Sequence, residues 1–87
     1  MPMIMTDGQV SSYYLIKTVT LNENDDRRLR KLGVYAGSTV KILKKIGENA
    51  IIIDCDGVKI ALGKSVTDNI RTEIVASDEI GKGASGI

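Results

Sequence analysis

The chain has 87 residues, with 12 lysines and arginines against 11 aspartates and glutamates, no histidine and one cysteine. That length sets one small domain; a single Cys55 excludes an intramolecular disulfide and a thiolate metal cluster within one chain, and the lack of histidine disfavours a classical zinc or transition-metal site, leaving room for a weak hard-cation site on carboxylates. No apolar run approaches the roughly 18 residues of a membrane span, and Met1 to Met5 lacks the pattern of a signal peptide, so the expectation is a soluble, cytoplasmic protein in a reducing compartment.

Residues 1–9, with Pro2 and Gly8, read as a loose leader, residues 10–75 as the folded domain, and residues 76–87, rich in Gly, Ser and Ala, as a flexible tail. Val10 to Leu21 is an alternating strand: Tyr13, Leu15, Val19 and Leu21 fall on one face, interrupted by Lys17, and Ile16, Thr18 and Thr20 on the other. Asn22 or Asn24 then caps a helix of about ten residues. Glu23, Asp25 and Asp26 suit its positive end, and Arg28, Arg30 and Lys31 its negative end. Leu29 and Leu32, three apart, form a narrow apolar stripe, so the helix depends on packing against a sheet. Gly33 supplies the left-handed residue past the helix, and Gly37-Ser38 turns the chain into the next strand.

Thr39 to Ile46 follows as a strand with Val40, Ile42 and Ile46 on one side. Gly47-Glu48-Asn49 is a hairpin-length connection to Ala50–Cys55, the most apolar strand. Asp56-Gly57 is the strongest hairpin turn in the chain. Val58, Ile60 and Leu62 alternate after it. Gly63 to Asn69 reads as a turn or one short 3₁₀ turn, and Ile70 to Val75 as a last strand with Ile70 and Ile74 inward. The core is Ile, Val and Leu; Phe and Trp are absent, and the aromatics are Tyr13, Tyr14 and Tyr35. The fold class expected is all-β with one short helix, a partly open, five-stranded small barrel with the helix between its first two strands.

Charge is unevenly distributed. From Arg27 to Lys45 there are seven basic residues and no acidic one; the rest of the chain carries five basic and eleven acidic residues. This segment either steers an acidic partner electrostatically or is a solvated helix face. Nucleic acid is disfavoured, because the net charge is only +1 and stacking aromatics are scarce. The two glycines follow a helix, the reverse of a phosphate cradle, which leads into a helix N-terminus. Asp54, Cys55 and Asp56 invite a metal reading, but on a strand Cys55 points away from the two carboxylates, which read first as turn formers. Catalysis lacks a base beside a nucleophile.

The run Arg28-Leu29-Arg30-Lys31-Leu32-Gly33-Val34-Tyr35-Ala36-Gly37-Ser38-Thr39-Val40-Lys41-Ile42 resembles the core motif of the ferrous iron transport protein A (FeoA) family. Ile51 to Leu62, with its glycine turn, is similar to that family's paired strands, and Asp68-Asn69-Ile70 with Ile74-Val75 to its closing strand. Ala36 stands where the family commonly has proline, and Gly63-Lys64 where it commonly has arginine. The resemblance implies an SH3-like barrel and a non-enzymatic accessory protein of bacterial ferrous iron uptake. Its implied partner is the cytoplasmic, GTPase-containing part of the FeoB permease, with no insertion into the membrane itself. The contact residues it points to, together with the charge pattern, are Arg27, Arg28, Lys31, Tyr35, Ser38 and Lys41. Weak ferrous iron binding and a weak homo-oligomer stay open. The alternatives are a regulatory module that binds a transition metal or a peptide, as in the C-terminal domain of iron-dependent repressors, and a small RNA-binding barrel.

Overall fold

The computed structural model describes residues 2–77. Its elements are β1 (Pro2–Ile4), a 3₁₀ turn (Met5–Asp7), β2 (Ser12–Val19), α1 (Glu23–Lys31), β3 (Thr39–Ile46), β4 (Ala50–Cys55), β5 (Val58–Gly63), α2 (Lys64–Thr67) and β6 (Ile70–Ser77). All neighbours are antiparallel, in the order β1-β6-β2-β3-β4-β5. The two outer strands, β1 and β5, are not paired with each other, so the sheet curls around its core without closing.

Six strands replace the five expected, and the extra one comes from the segment read as a loose leader. Pro2, Met3 and Ile4 pair with Glu73, Thr72 and Arg71. Met5 is fully buried, and Gly8 sits where a side chain would run into Ile42, Tyr14 and the Met5 carbonyl. The expected flexible tail lies outside the described residues apart from Ala76 and Ser77, whose backbone belongs to β6.

The core holds Met5, Tyr14, Ile16, Leu29, Val34, Val40, Ile42, Ile51, Ile53, Cys55, Ile60, Leu62 and Ile70. Three ladder irregularities decide which apolar residues reach it. Along β2, Ser12, Tyr14 and Ile16 point inward rather than Tyr13 and Leu15. A bulge between Ile16 and Thr18 then shifts the phase, and Val19 and Leu21 pack against the core from odd positions. A second irregularity lies between Ile42 and Lys44, and beyond it Ile46 is exposed rather than aligned with Val40 and Ile42. The third, between Tyr13 and Tyr14 on the β2–β6 ladder, lies towards the end of β6, where Ile74 is exposed although it pairs with the buried Tyr14.

The turns follow the chemistry of their residues. Asn22 caps α1 by accepting from the Asp25 N–H at 2.9 Å. Gly33, with φ +91°, ends the helix, and its N–H donates to the Arg30 carbonyl at 3.0 Å. Asp56 (φ 53°) and Gly57 (φ 88°) form the two-residue hairpin turn between β4 and β5, in which both central residues need positive φ. The Gly63–Asn69 connection contains one turn of α-helix, α2, rather than a 3₁₀ turn.

The 3₁₀ turn and α2 pack against each other, with α2 lying beside β4 and β5. The Thr6 hydroxyl lies 2.7 Å from that of the buried Thr67 and donates to the Asp68 carboxylate at 2.5 Å. Lys64 donates to Asp68 at 2.9 Å, and Lys45 to the Thr6 carbonyl at 3.1 Å. These bonds hold the Asp68 carboxyl below the usual carboxylate range, first through Thr6 and then through Lys64.

Candidate functional site

The basic segment folds into a helix, a glycine turn and a strand, and its charges part company. Arg28 pairs with Asp25 at 2.7 Å and Arg30 with Asp26 at 3.0 Å, both along the exposed face of α1. Such pairs contribute about 0.3–0.5 kcal/mol each and mostly serve the helix. Lys41 lies on β3 over the Tyr13 ring, 5.4 Å from its centroid. Arg27 and Lys31, one helical turn apart, are exposed and have no ion pair among the described residues.

Of the six residues singled out from the sequence, Lys31, Tyr35 and Ser38 come together. They line a surface cleft of about 460 Å³ with Leu32, Gly33, Thr39, Cys55, Asp56 and Val58. Lys41 lines an adjoining cleft with Tyr13, Thr39, Leu43, Asp54 and Asp56. Arg28 faces the other flank of α1, in a groove of about 240 Å³ between that helix and β5, with Asp25, Leu29, Leu32, Ile60, Ala61, Leu62, Gly63 and Val66. Arg27 stands on the exposed helix surface.

Ser38 has a fold role as well. Its hydroxyl donates to the Gly33 carbonyl at 2.7 Å and closes the turn that presents Tyr35. The Cys55 thiol donates to the same carbonyl at 3.2 Å. Burial pushes this thiol above its ordinary value, and Asp56 and Asp54 push it further. Cys55 is therefore a buried pin under the turn, poorly suited to nucleophilic chemistry. Asp54 is likewise committed, accepting from the Gly57 N–H at 2.8 Å. Among the described residues no three of His, Cys, Asp and Glu gather into a group that could hold a metal ion.

Two members of the surface escaped sequence reasoning. Leu32, expected beside Leu29 in the core, is 41% exposed; Val58, expected on the inward face of its strand, is 49% exposed. With Tyr35, 46% exposed, they place three large apolar side chains around one cleft, beside the cations of α1. A signal for Leu32 was present: as the residue just before the helix-ending Gly33, it sits where the helix leaves the sheet. The inward anchor past the turn is Val34, which is fully buried.

No described helix is long and apolar enough to cross a membrane. A family model described as the FeoA domain matches residues 5–74. No curated protein sequence matches the chain. Three solved structures show the same SH3-like fold. One is a crystal structure of an iron uptake regulatory protein (FeoA), 20% identical, with a TM-score of 0.78 over 86% of this chain and 100% of that one. Another is the solution structure of the FeoA protein from Chlorobium tepidum, 21% identical, with a TM-score of 0.79 over 85% of this chain and 71% of that one. The third is the crystal structure of T. acidophilum IdeR, 17% identical, with a TM-score of 0.74; 85% of this chain is covered, but only 34% of that one.

Proposed function

Because the chain belongs to the FeoA domain family, we propose that it is a non-enzymatic accessory protein of ferrous iron uptake that acts by binding the cytoplasmic, GTPase-containing part of the FeoB-type permease. The observation that carries this reading is the exposed group of Leu32, Tyr35 and Val58 beside Arg27 and Lys31. Apolar side chains ringed by uncompensated charge are the anatomy of a protein-binding surface, with the aromatic as anchor and the cations setting encounter rate and orientation. The protein works on its partner's conformation or assembly in the cytoplasm, without chemistry of its own and without a nucleic acid.

The test is a pull-down and titration with the permease's cytoplasmic region. The double variant Arg27→Glu with Lys31→Glu is expected to bind about tenfold or more weakly, mainly through slower association, and to lose the salt dependence of the wild type. Unchanged affinity and unchanged salt dependence would remove this surface from the interface.

A further inference from the structure

The hydrogen-bond phase of β5 leaves a row of backbone groups without partners on the side that faces α1. β5 pairs with β4 through Cys55–Val58, Asp54–Lys59, Ile53–Ile60, Ile52–Ala61 and Ile51–Leu62. Hydrogen-bonded pairs alternate along an antiparallel ladder. A two-residue turn closes on such a pair, Cys55 with Val58, and the Lys64 N–H donates to the Asn49 carbonyl at 2.8 Å, which fixes the same phase at the other end. Val58, Ile60 and Leu62 therefore bond to β4. The N–H and C=O of Lys59 and Ala61, and the N–H of Gly63, point away from the sheet. No loop, turn or side-chain hydrogen bond among the described residues takes them up.

This edge is not blunted as exposed edges usually are. It has six residues, no proline and one charged side chain, Lys59. The groove between α1 and β5 runs beside Ile60 to Gly63, the cleft at the glycine turn takes in Val58, and Leu32 lines both. The result is a trough along the strand, walled by α1 on one side, with free backbone donors and acceptors about 7 Å apart. Only an extended chain matches that spacing.

We infer that an extended segment of the partner protein, apolar and acidic in character, adds to the sheet as a strand along β5, held between that edge and α1. Its main chain bonds Lys59 and Ala61. Its apolar side chains meet Leu32, Ala61 and Val58, and its carboxylates meet Lys59 and, at the glycine-turn end, Lys31. A second copy of this chain fits less well, since mirrored edges set these same cations against one another. The inference rests on the proposed partnership and specifies its mode.

The test uses the full ¹⁵N-labelled chain, with the permease's cytoplasmic GTPase-containing region as the probe. At saturation, amide exchange at Lys59 and Ala61 is expected to slow at least tenfold, with a smaller change at Val58 and Leu62, which are already bonded. Ala61→Pro removes an outward N–H without breaking a β4 bond and is expected to weaken binding about tenfold. Lys59→Glu, which leaves the backbone alone, is expected to weaken it by a similar factor and serves if the proline variant misfolds. If the region binds but these amides exchange as before and both variants bind as wild type, the strand-addition mode is wrong and the partnership stands. If the wild type fails to bind at all, the partnership falls and the mode with it. Self-association in sedimentation that Ala61→Pro abolishes would overturn the mode in favour of a second copy.

Discussion

The two edges of this sheet are finished in opposite ways. At β1 the strand is three residues long, begins with Pro2, and gives way to a 3₁₀ turn that hydrogen-bonds through Thr6 to Thr67 and Asp68. At β5 the strand is twice that length, and an apolar trough runs beside it under α1. One edge is sealed by side chains more than 60 residues away in sequence; the other keeps its main chain available. Under the proposed binding mode, stability and recognition fall on different borders of one small sheet, and a change at one border need not disturb the other.

The comparison breaks most sharply at the sealed edge. Met5→Ala empties a fully buried position and is expected to cost about 2–5 kcal/mol, read from chemical or thermal denaturation. A loss under about 0.5 kcal/mol would return this segment to the status of a loose leader. Thr67→Val keeps the volume but removes the buried hydroxyl that meets Thr6. It is expected to cost about 1–2 kcal/mol and to leave partner affinity unchanged, because it acts on the closed border alone. The smallest effect is electrostatic. The folded state holds the Asp68 carboxyl below its unfolded value through Thr6 and Lys64. The linked stability is therefore complete above about pH 4 and drains away as acid protonates the native carboxylate. Asp68→Asn is expected to flatten that acid limb in a pH series of denaturation midpoints, lowering the neutral-pH midpoint slightly, through the lost Thr6 and Lys64 bonds, and leaving the midpoint in strong acid unchanged.

Much of the fold is legible from local chemistry. The Asn22 cap, Gly33 and the Asp56-Gly57 turn each follow from residues that impose a backbone geometry on their own neighbours. β1 does not, because three residues carry no periodicity; Pro2–Ile4 becomes a strand only through pairing with β6, about 70 positions later. The inward and outward assignments fail where the ladder slips. Ile46 beyond one slip, and Val19 and Leu21 beyond another, are placed by irregularities that alternation alone does not encode. At the site, charge was visible and hydrophobic exposure was not. Lys31, Tyr35 and Ser38 line one cleft, whereas Leu32 and Val58 had been assigned to the interior on spacing. Whether an apolar residue is core or contact depends on how much sheet lies opposite it, which is a tertiary fact.

β6 lies between β1 and β2 in the sheet. The last described strand therefore fills a slot between the first two, and on a ribosome the N-terminal strand waits, without its partner, for nearly the whole domain to be synthesised. Local pieces such as α1 and the β4–β5 hairpin can form early, but the sheet becomes continuous only when β6 clears the exit tunnel. Such long-range closure slows folding relative to a helical domain of equal size and makes completion a single late event. A chain ending before Ile70 lacks the strand that joins β1 to β2 and the buried Ile70 and Thr72 with it.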